Sequence, residues 1–219
     1  QIKLHKKEKY KMHLICEFHF EGSLTLPIHY NHMLQGLIYK NLTDEALRTF
    51  LHEVGFKREK RSYKLFTYSR ILGKSRFNSA DKTISFDSPI KLHISSLVDE
   101  FVQDLSNSFF KSNHLFLGKK AIELRNIEAK MLNLEGREIK IEMLSPLVTY
   151  STVEIDRKKK TIYFSPKDFE FSERIRQNLL RKYIAVYGRP PEDDSFEIEY
   201  IGRGDPKLSI IRYHNTIIK

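Results

Sequence analysis

Residues 50–71 read FLHEVGFKREKRSYKLFTYSRI. His52 closes a helical pattern, five cations fall between Lys57 and Lys64, and an aromatic strand pattern begins at Lys64. An imidazole with an unperturbed pKa of about 6.5 can give or take a proton at neutral pH. A lysine ammonium can offset negative charge building on a phosphoryl group. Together these groups suit phosphodiester chemistry. On spacing alone a plainer reading outweighs that one. His52 lies about 100° around its helix from Leu51, off the apolar stripe, where a helix C-terminus favours a cationic side chain.

Charge on the whole chain bears on the choice. The 219 residues carry 38 Lys and Arg against 28 Asp and Glu, a net charge of +10. Phosphate polyanions are the usual partners of such a surface, because each neutralised phosphate releases counterions. A merely basic soluble protein would have the same balance. The 15 Phe and 11 Tyr leave rings free to stack on bases, although a core needs most of them. Cys16 is the single cysteine, so neither an internal disulfide nor a cysteine zinc site is expected, which points to a reducing cytoplasm. The opening residues lead to no expectation of a signal peptide, and no run approaches the ~18 apolar residues of a membrane span.

The elements that must carry these groups follow from periodicity. Residues 1–11 are cationic and patternless. From Met12, alternation puts Leu14, Cys16, Phe18 and Phe20 on one face, with His13, Glu17 and His19 on the other. A helix with the stripe Leu34, Leu37, Ile38, Leu42 follows Pro27. Thr43 or Asp44 caps a second short helix (Leu47, Phe50, Leu51, Val54) that Gly55 stops. Strands are expected near 64–72 and 82–94, then a helix capped by Ser96, then strand-like segments over 114–164. Ser165-Pro166-Lys167-Asp168 opens a further helix, with Phe171, Ile175, Leu179, Tyr183 and Tyr187 every four residues and Gly188 at its end. Residues 196–201 and 208–218 read as two strands.

This order implies an α+β chain of tandem ferredoxin-like domains, 1–118 and 119–219, the second stopping before its last helix and strand. Asp87-Ser88-Pro89-Ile90 is weakly echoed by Leu144-Ser145-Pro146-Leu147. Sheets of this kind bind single-stranded RNA in some proteins, yet many metabolic domains share them, so the fold alone does not give the function.

Three blocks add a resemblance. Pro27–Tyr39 (PIHYNHMLQGLIY), Phe50–Val54 (FLHEV) and Lys64–Ser69 (KLFTYS) are similar, in unbroken order, to the CRISPR-associated endoribonuclease family of the RAMP superfamily, which cuts precursor CRISPR RNA within each repeat. Leu179–Gly188 resembles the family's second-domain helix, and the likeness runs from about Met12 to the C-terminus. The family has tandem ferredoxin-like domains and cleaves without a metal or cofactor. Its closest members here use a histidine helped by a tyrosine and a lysine, which by motif position implies His52, Tyr39 and Lys64 as catalytic residues. Two departures stand out. The chain stops at Lys219, short of the family's glycine-rich loop and final strand, and a basic insert, Phe56–Tyr63, separates the histidine from the lysine.

RNA carries its own nucleophile, the 2′-hydroxyl beside each phosphodiester. The expected function is therefore metal-independent cleavage of CRISPR repeat RNA to a 2′,3′-cyclic phosphate and a 5′-hydroxyl. Lys57, Arg58, Lys60 and Arg61 are the expected phosphate contacts near the site, with Arg157, Lys158, Lys159 and Lys160 as a second set or a solvated turn. The alternative is a non-cleaving RNA-binding scaffold subunit of a CRISPR ribonucleoprotein; a third reading, a protein-interaction domain, implies no salt-sensitive RNA affinity. No membrane partner is expected, while a homodimer or a larger effector complex stays open. His29 with His32, and His13 with His19, lack a carboxylate or cysteine at a known ligand spacing, so no metal site is expected. Gly202-Arg203-Gly204 is too short for a phosphate loop.

Overall fold

The structure, a computed structural model, describes residues 11–112, 114–132, 136–143, 147–155, 157–202, 211–213 and 216–218. The N-terminal cationic run before Lys11, the Ser145-Pro146 echo and the Arg203-Gly204 pair lie outside the described residues. The chain divides into two compact units, Gln1–Leu144 and Ser145–Lys219.

In the first unit β1 (Lys11–His19), β2 (Ser23–Pro27), α1 (Asn31–Lys40) and α2 (Glu45–Thr49) lead into a π-helical turn, Phe50–Val54. Then come β3 (Phe56–Arg58), β4 (Arg61–Tyr63), β5 (Phe66–Tyr68), β6 (Ser75–Asn78), β7 (Thr83–Asp87), β8 (Ile90–Ser96), α3 (Asp99–Lys111), β9 (Leu115–Leu117) and β10 (Lys120–Leu132). The main sheet runs β5-β8-β1-β10-β9, every pair antiparallel. Strands β1, β5, β8 and β10 with helices α1 and α3 make the ferredoxin-like βαββαβ path. Alternation in β1 is as read: Leu14, Cys16 and Phe18 are buried, while His13, Ile15 and Glu17 are partly exposed. α3 closes the buried face with Phe101, Val102, Leu105 and Phe109, the last edge-on to Phe18 at 5.7 Å between ring centres.

Four expectations change in this unit. The strand near 82–94 is two strands, β7 in a small β2-β7-β6 sheet and β8 in the main one. Pro89 has no N–H for a ladder, and the chain changes sheets there. The strand near 64–72 shrinks to Phe66–Tyr68: Leu65 takes a positive φ of 55° just before it, and beyond it Leu72 keeps an isolated bridge to Lys91. Ser96 ends β8 rather than capping α3, which starts at Asp99. Finally, β10 pairs with β1 from Lys11↔Leu132 to His19↔Glu123, so this strand, assigned to the second domain from the sequence, completes the first unit's sheet.

The second unit holds the hairpin β11 (Thr149–Ile155) and β12 (Lys158–Phe164), then α4 (Phe169–Tyr187), then β13 (Ile211–Tyr213) paired with β14 (Thr216–Ile218). Asp168, not Ser165, is the α4 N-cap; its carboxylate accepts from Ser165 N at 2.7 Å, so the Ser-Pro segment folds back before the helix begins. Gly188 closes α4 in the left-handed conformation. The four-residue stripe drifts out of the core. Each step advances about 40° beyond a full turn, so Phe171 is buried whereas Leu179 and Tyr187 are exposed. Residues 196–201 form no strand, and 208–218 gives two three-residue strands instead of one.

On the face of the main sheet turned from α3, His13 Nδ1 bonds Ser95 Oγ, and His13 Nε2 faces His93 Nδ1 at 3.1 Å. Only one proton fits between those two nitrogens, so the pair resists double protonation. Burial lowers both pKa values, helped for His13 by His93 and Lys130, and for His93 by Lys130 and Lys91. Both folded values therefore lie below the unfolded value of about 6.5. The stabilisation is complete above that pH and is lost as pH falls through the folded values. Thermal melts at pH 7.5 and 5.5 should show a larger drop in Tm for the wild type than for His13→Gln; equal drops would contradict this origin.

Candidate active site

Tyr39 sits on the last turn of α1, whose Leu34, Leu37 and Ile38 are buried. One step round from Ile38, its ring is half-buried at the edge of that stripe. Its Oη donates to the Leu51 carbonyl at 3.3 Å, and its ring meets Phe66 of β5 edge-on, with centres 5.7 Å apart. Burial raises the phenol pKa; a hydrogen bond with Gln35 works against the rise, and the charge of Tyr68 adds to it. The phenol stays neutral at pH 7. It can orient a neighbouring hydroxyl through its oxygen lone pairs, but it is a poor proton acceptor.

His52 lies in the π-helical turn. Asp44 starts α2, its carboxylate accepting from Leu47 N at 2.9 Å. The loop before it is pinned to α3 by Asp104, which accepts from Thr43 N at 2.7 Å, from the Thr43 hydroxyl, and from Asp44 N at 3.2 Å. Leu47 and Leu51 before His52 and Phe56 after it are buried, so the backbone that carries His52 is anchored on both sides. Gly55 N–H bonds Phe50 O at 2.6 Å and closes the widened turn. The sequence implies one short helix over 45–54; the chain instead follows α2 with the π-helical turn. The orientation expected for the His52 side chain lies outside what is described.

The basic insert forms its own hairpin. β3 and β4 pair Phe56↔Tyr63, Lys57↔Ser62 and Arg58↔Arg61 around a Glu59-Lys60 turn, with Glu59 at φ 53°. Lys57, Lys60 and Arg61 are exposed, while the Arg58 side chain lies outside what is described. The hairpin leans on the π-helical turn through Phe50 and Phe56, edge-on at 5.2 Å, and through the Ser62 hydroxyl donating to Val54 O. Lys64 follows, half-buried, two residues before Phe66.

Three chain segments thus meet at Tyr39. Its hydroxyl touches the residue before His52, and its ring touches Phe66, just after Lys64. Phe66 also packs on Phe101 of α3, with centres 5.0 Å apart, which fixes the ring that Tyr39 abuts. The sequence pattern alone assigns no role to Phe66 or Gln35. Gln35 was findable, being one helical turn before Tyr39 on the same face. Of the distal cations, Arg157 occupies the β11–β12 turn at φ 57°, and Lys158, Lys159 and Lys160 lie within β12, not in a loop as read, all four exposed. Among the described histidines, His32 Nδ1 lies 2.9 Å from the His29 carbonyl.

Residues 25–128 match the family model described as CRISPR-associated protein Cas6, N-terminal, and residues 128–219 match its C-terminal counterpart. The chain belongs to the Cas6 family. The CRISPR-associated endoribonuclease Cas6 of Pyrococcus furiosus is 30% identical over 186 residues, covering 81% of this chain and 65% of that protein. CRISPR-associated endoribonuclease Cas6 1 of Methanocaldococcus jannaschii is 23% identical over 192 residues, 87% of this chain and 72% of the relative. An endoribonuclease-like Cas6nc protein of Pyrococcus horikoshii is 28% identical over 137 residues, 62% of this chain, and the match spans only 57% of its length. A solved structure of a Cas6-related protein from Pyrococcus furiosus superposes with a TM-score of 0.68 at 25% identity, covering 88% of this chain and 77% of the other. A RAMP protein described as binding different RNA substrates shares the fold, with a TM-score of 0.66, 21% identity, and coverage of 94% and 83%. These likenesses to Cas6 structures span both units, and the tandem ferredoxin-like class holds for the chain.

Gly55 tests how tightly the His52 turn is held. Its φ of 62° and ψ of −174° lie in a region nearly restricted to glycine. A Cβ there would strike Ser62 Oγ and stand 2.8 Å from Tyr63 O. Gly55→Ala should cost about 2 kcal/mol of stability in a denaturant titration; a loss below about 0.5 kcal/mol would contradict this account of the turn.

Proposed function

We propose that the chain is a metal-independent endoribonuclease that cuts CRISPR repeat RNA by attack of a 2′-hydroxyl on the adjoining phosphorus. The observation that carries this reading is Tyr39's double contact, which draws the His52 turn and the Lys64 segment to one place. Family membership and relatives named as CRISPR-associated endoribonucleases support it from another direction.

Transesterification needs three services. The 2′-hydroxyl must lose a proton and the departing 5′-oxygen must gain one; His52 serves as the general acid or base. The nucleophile must be held in line; Tyr39, neutral and tethered by its own O–H to Leu51, offers lone pairs to the 2′-hydroxyl. Negative charge grows on the phosphoryl oxygens, and the Lys64 ammonium offsets it. The nucleophile belongs to the substrate, so no step calls for a metal-bound water. The β3–β4 hairpin supplies Lys57, Arg58, Lys60 and Arg61 to neighbouring phosphates, and Arg157 with Lys158, Lys159 and Lys160 forms a second basic strip. The natural setting for this activity is a prokaryotic cytoplasm.

The test is incubation of the protein with end-labelled repeat RNA in EDTA. The expected products are an upstream fragment ending in a 2′,3′-cyclic phosphate and a downstream fragment with a 5′-hydroxyl. His52→Ala should cleave at least ~100-fold more slowly while its RNA Kd changes little. Activity lost on chelation and restored by magnesium would overturn the mechanism. A mobility shift with the RNA left intact would replace the nuclease with a scaffold.

A further inference from the structure

Ser96 is a buried polar side chain, 5% exposed, at the junction of β8 and α3. Its hydroxyl has one donor and two acceptor sites. The hydroxyl donates to the Leu65 carbonyl at 3.1 Å and accepts from Val98 N at 3.0 Å. Leu97 N donates to the same Leu65 carbonyl at 3.2 Å. Two bonds from adjacent residues therefore converge on one peptide oxygen, immediately after Lys64.

That oxygen belongs to a residue in an uncommon conformation. Leu65 has φ 55°, in the left-handed region that a leucine rarely takes unless its surroundings hold it there. The kink has a geometric consequence. In a continuous strand Lys64 and Phe66 would project from the same face. A left-handed residue between them breaks that alternation, so the direction of Lys64 is set at Leu65 and not by β5. On the far side, Phe66 pairs with Ser96 in the β5–β8 ladder. Ser96 thus meets the kink through its side chain and the next residue through its backbone.

We infer that Ser96 is a positioning residue for Lys64, holding the Leu65 kink that aims the ammonium at the scissile phosphate. The inference rests on the proposed role of Lys64. No contact between Ser96 and RNA is involved. The hydroxyl acts through the backbone it clamps, and a displacement of about 1 Å at a reacting group is enough to cost up to 100-fold in rate.

The experiment measures single-turnover cleavage of repeat RNA at saturating protein, with RNA Kd and Tm, for the wild type, Ser96→Ala, Ser96→Thr, Lys64→Ala and the double variant Ser96→Ala/Lys64→Ala. Ser96→Ala should lower the cleavage rate constant about 10- to 100-fold with Kd within about twofold of wild type. Ser96→Thr keeps the oxygen and should recover most of that loss. In the Lys64→Ala background, removing the Ser96 hydroxyl should change the rate no more than about twofold, since the group it positions is gone. An equal loss in both backgrounds, or wild-type cleavage by Ser96→Ala beside a slow Lys64→Ala, overturns the inference and leaves the nuclease standing. Wild-type cleavage by Lys64→Ala overturns the Lys64 role itself. Should Ser96→Ala give no cooperative melt, Ser96→Cys, with a weaker donor of similar size, is judged by the same criteria.

Discussion

The proposed chemistry depends on one half-buried phenol. The Tyr39 hydroxyl spends its proton on the carbonyl of Leu51, and the edge of its ring meets Phe66. Each contact alone is modest, a hydrogen bond of ordinary worth and an aromatic pair adding roughly 1 kcal/mol. Their value lies in what they connect. One reaches the turn that carries His52, the other the strand that follows Lys64, and both start from a helix packed into the same core. Burial keeps the hydroxyl neutral, so the tether persists at the pH where an imidazole changes charge.

Around that phenol the fold uses backbone restraint more than ion pairs. Gly55 closes a widened helical turn, Asp104 ties the loop before α2 to α3, and the β8–α3 junction grips the carbonyl of Leu65. The described salt bridges near the first unit's sheet, such as Lys91 with Glu17 and Lys130 with Glu128, are open to solvent on at least one partner and screened by salt. The exposed cations of the β3–β4 and β11–β12 hairpins are free of a structural duty in the core. They suit a phosphate backbone, where each contact trades counterions for protein and weakens as salt rises.

Much of this frame was legible in the amino-acid order, and the failures have physical causes. β1 could be read because its helix-covered face needs every second residue apolar. The break between β7 and β8 could not: Ile84 and Phe86 keep the parity of Ile90 and Leu92, although the chain enters a different sheet at Pro89. The π-helical turn was hidden because Leu47, Phe50 and Leu51 fit an ordinary helical stripe equally well. Asp168 displaced Ser165 as a cap because its carboxylate reaches back to the serine's own N–H. Spacing made His52 a surface histidine, and only the family blocks gave it, Tyr39 and Lys64 a common purpose. Phe66 had no local signature, since its contacts to Tyr39 and Phe101 are tertiary.

The most direct measurement is a crystal structure of the protein with repeat RNA bearing a 2′-deoxy sugar at the cleavage position, which removes the nucleophile and traps the bound state. The account predicts the scissile phosphate roughly 3–4 Å from Lys64 Nζ, with the deoxy carbon beside Tyr39 Oη and the His52 imidazole on one side of the linkage. RNA bound with its scissile phosphate on another surface, such as the β11–β12 hairpin, and away from Tyr39 and Lys64, would contradict it.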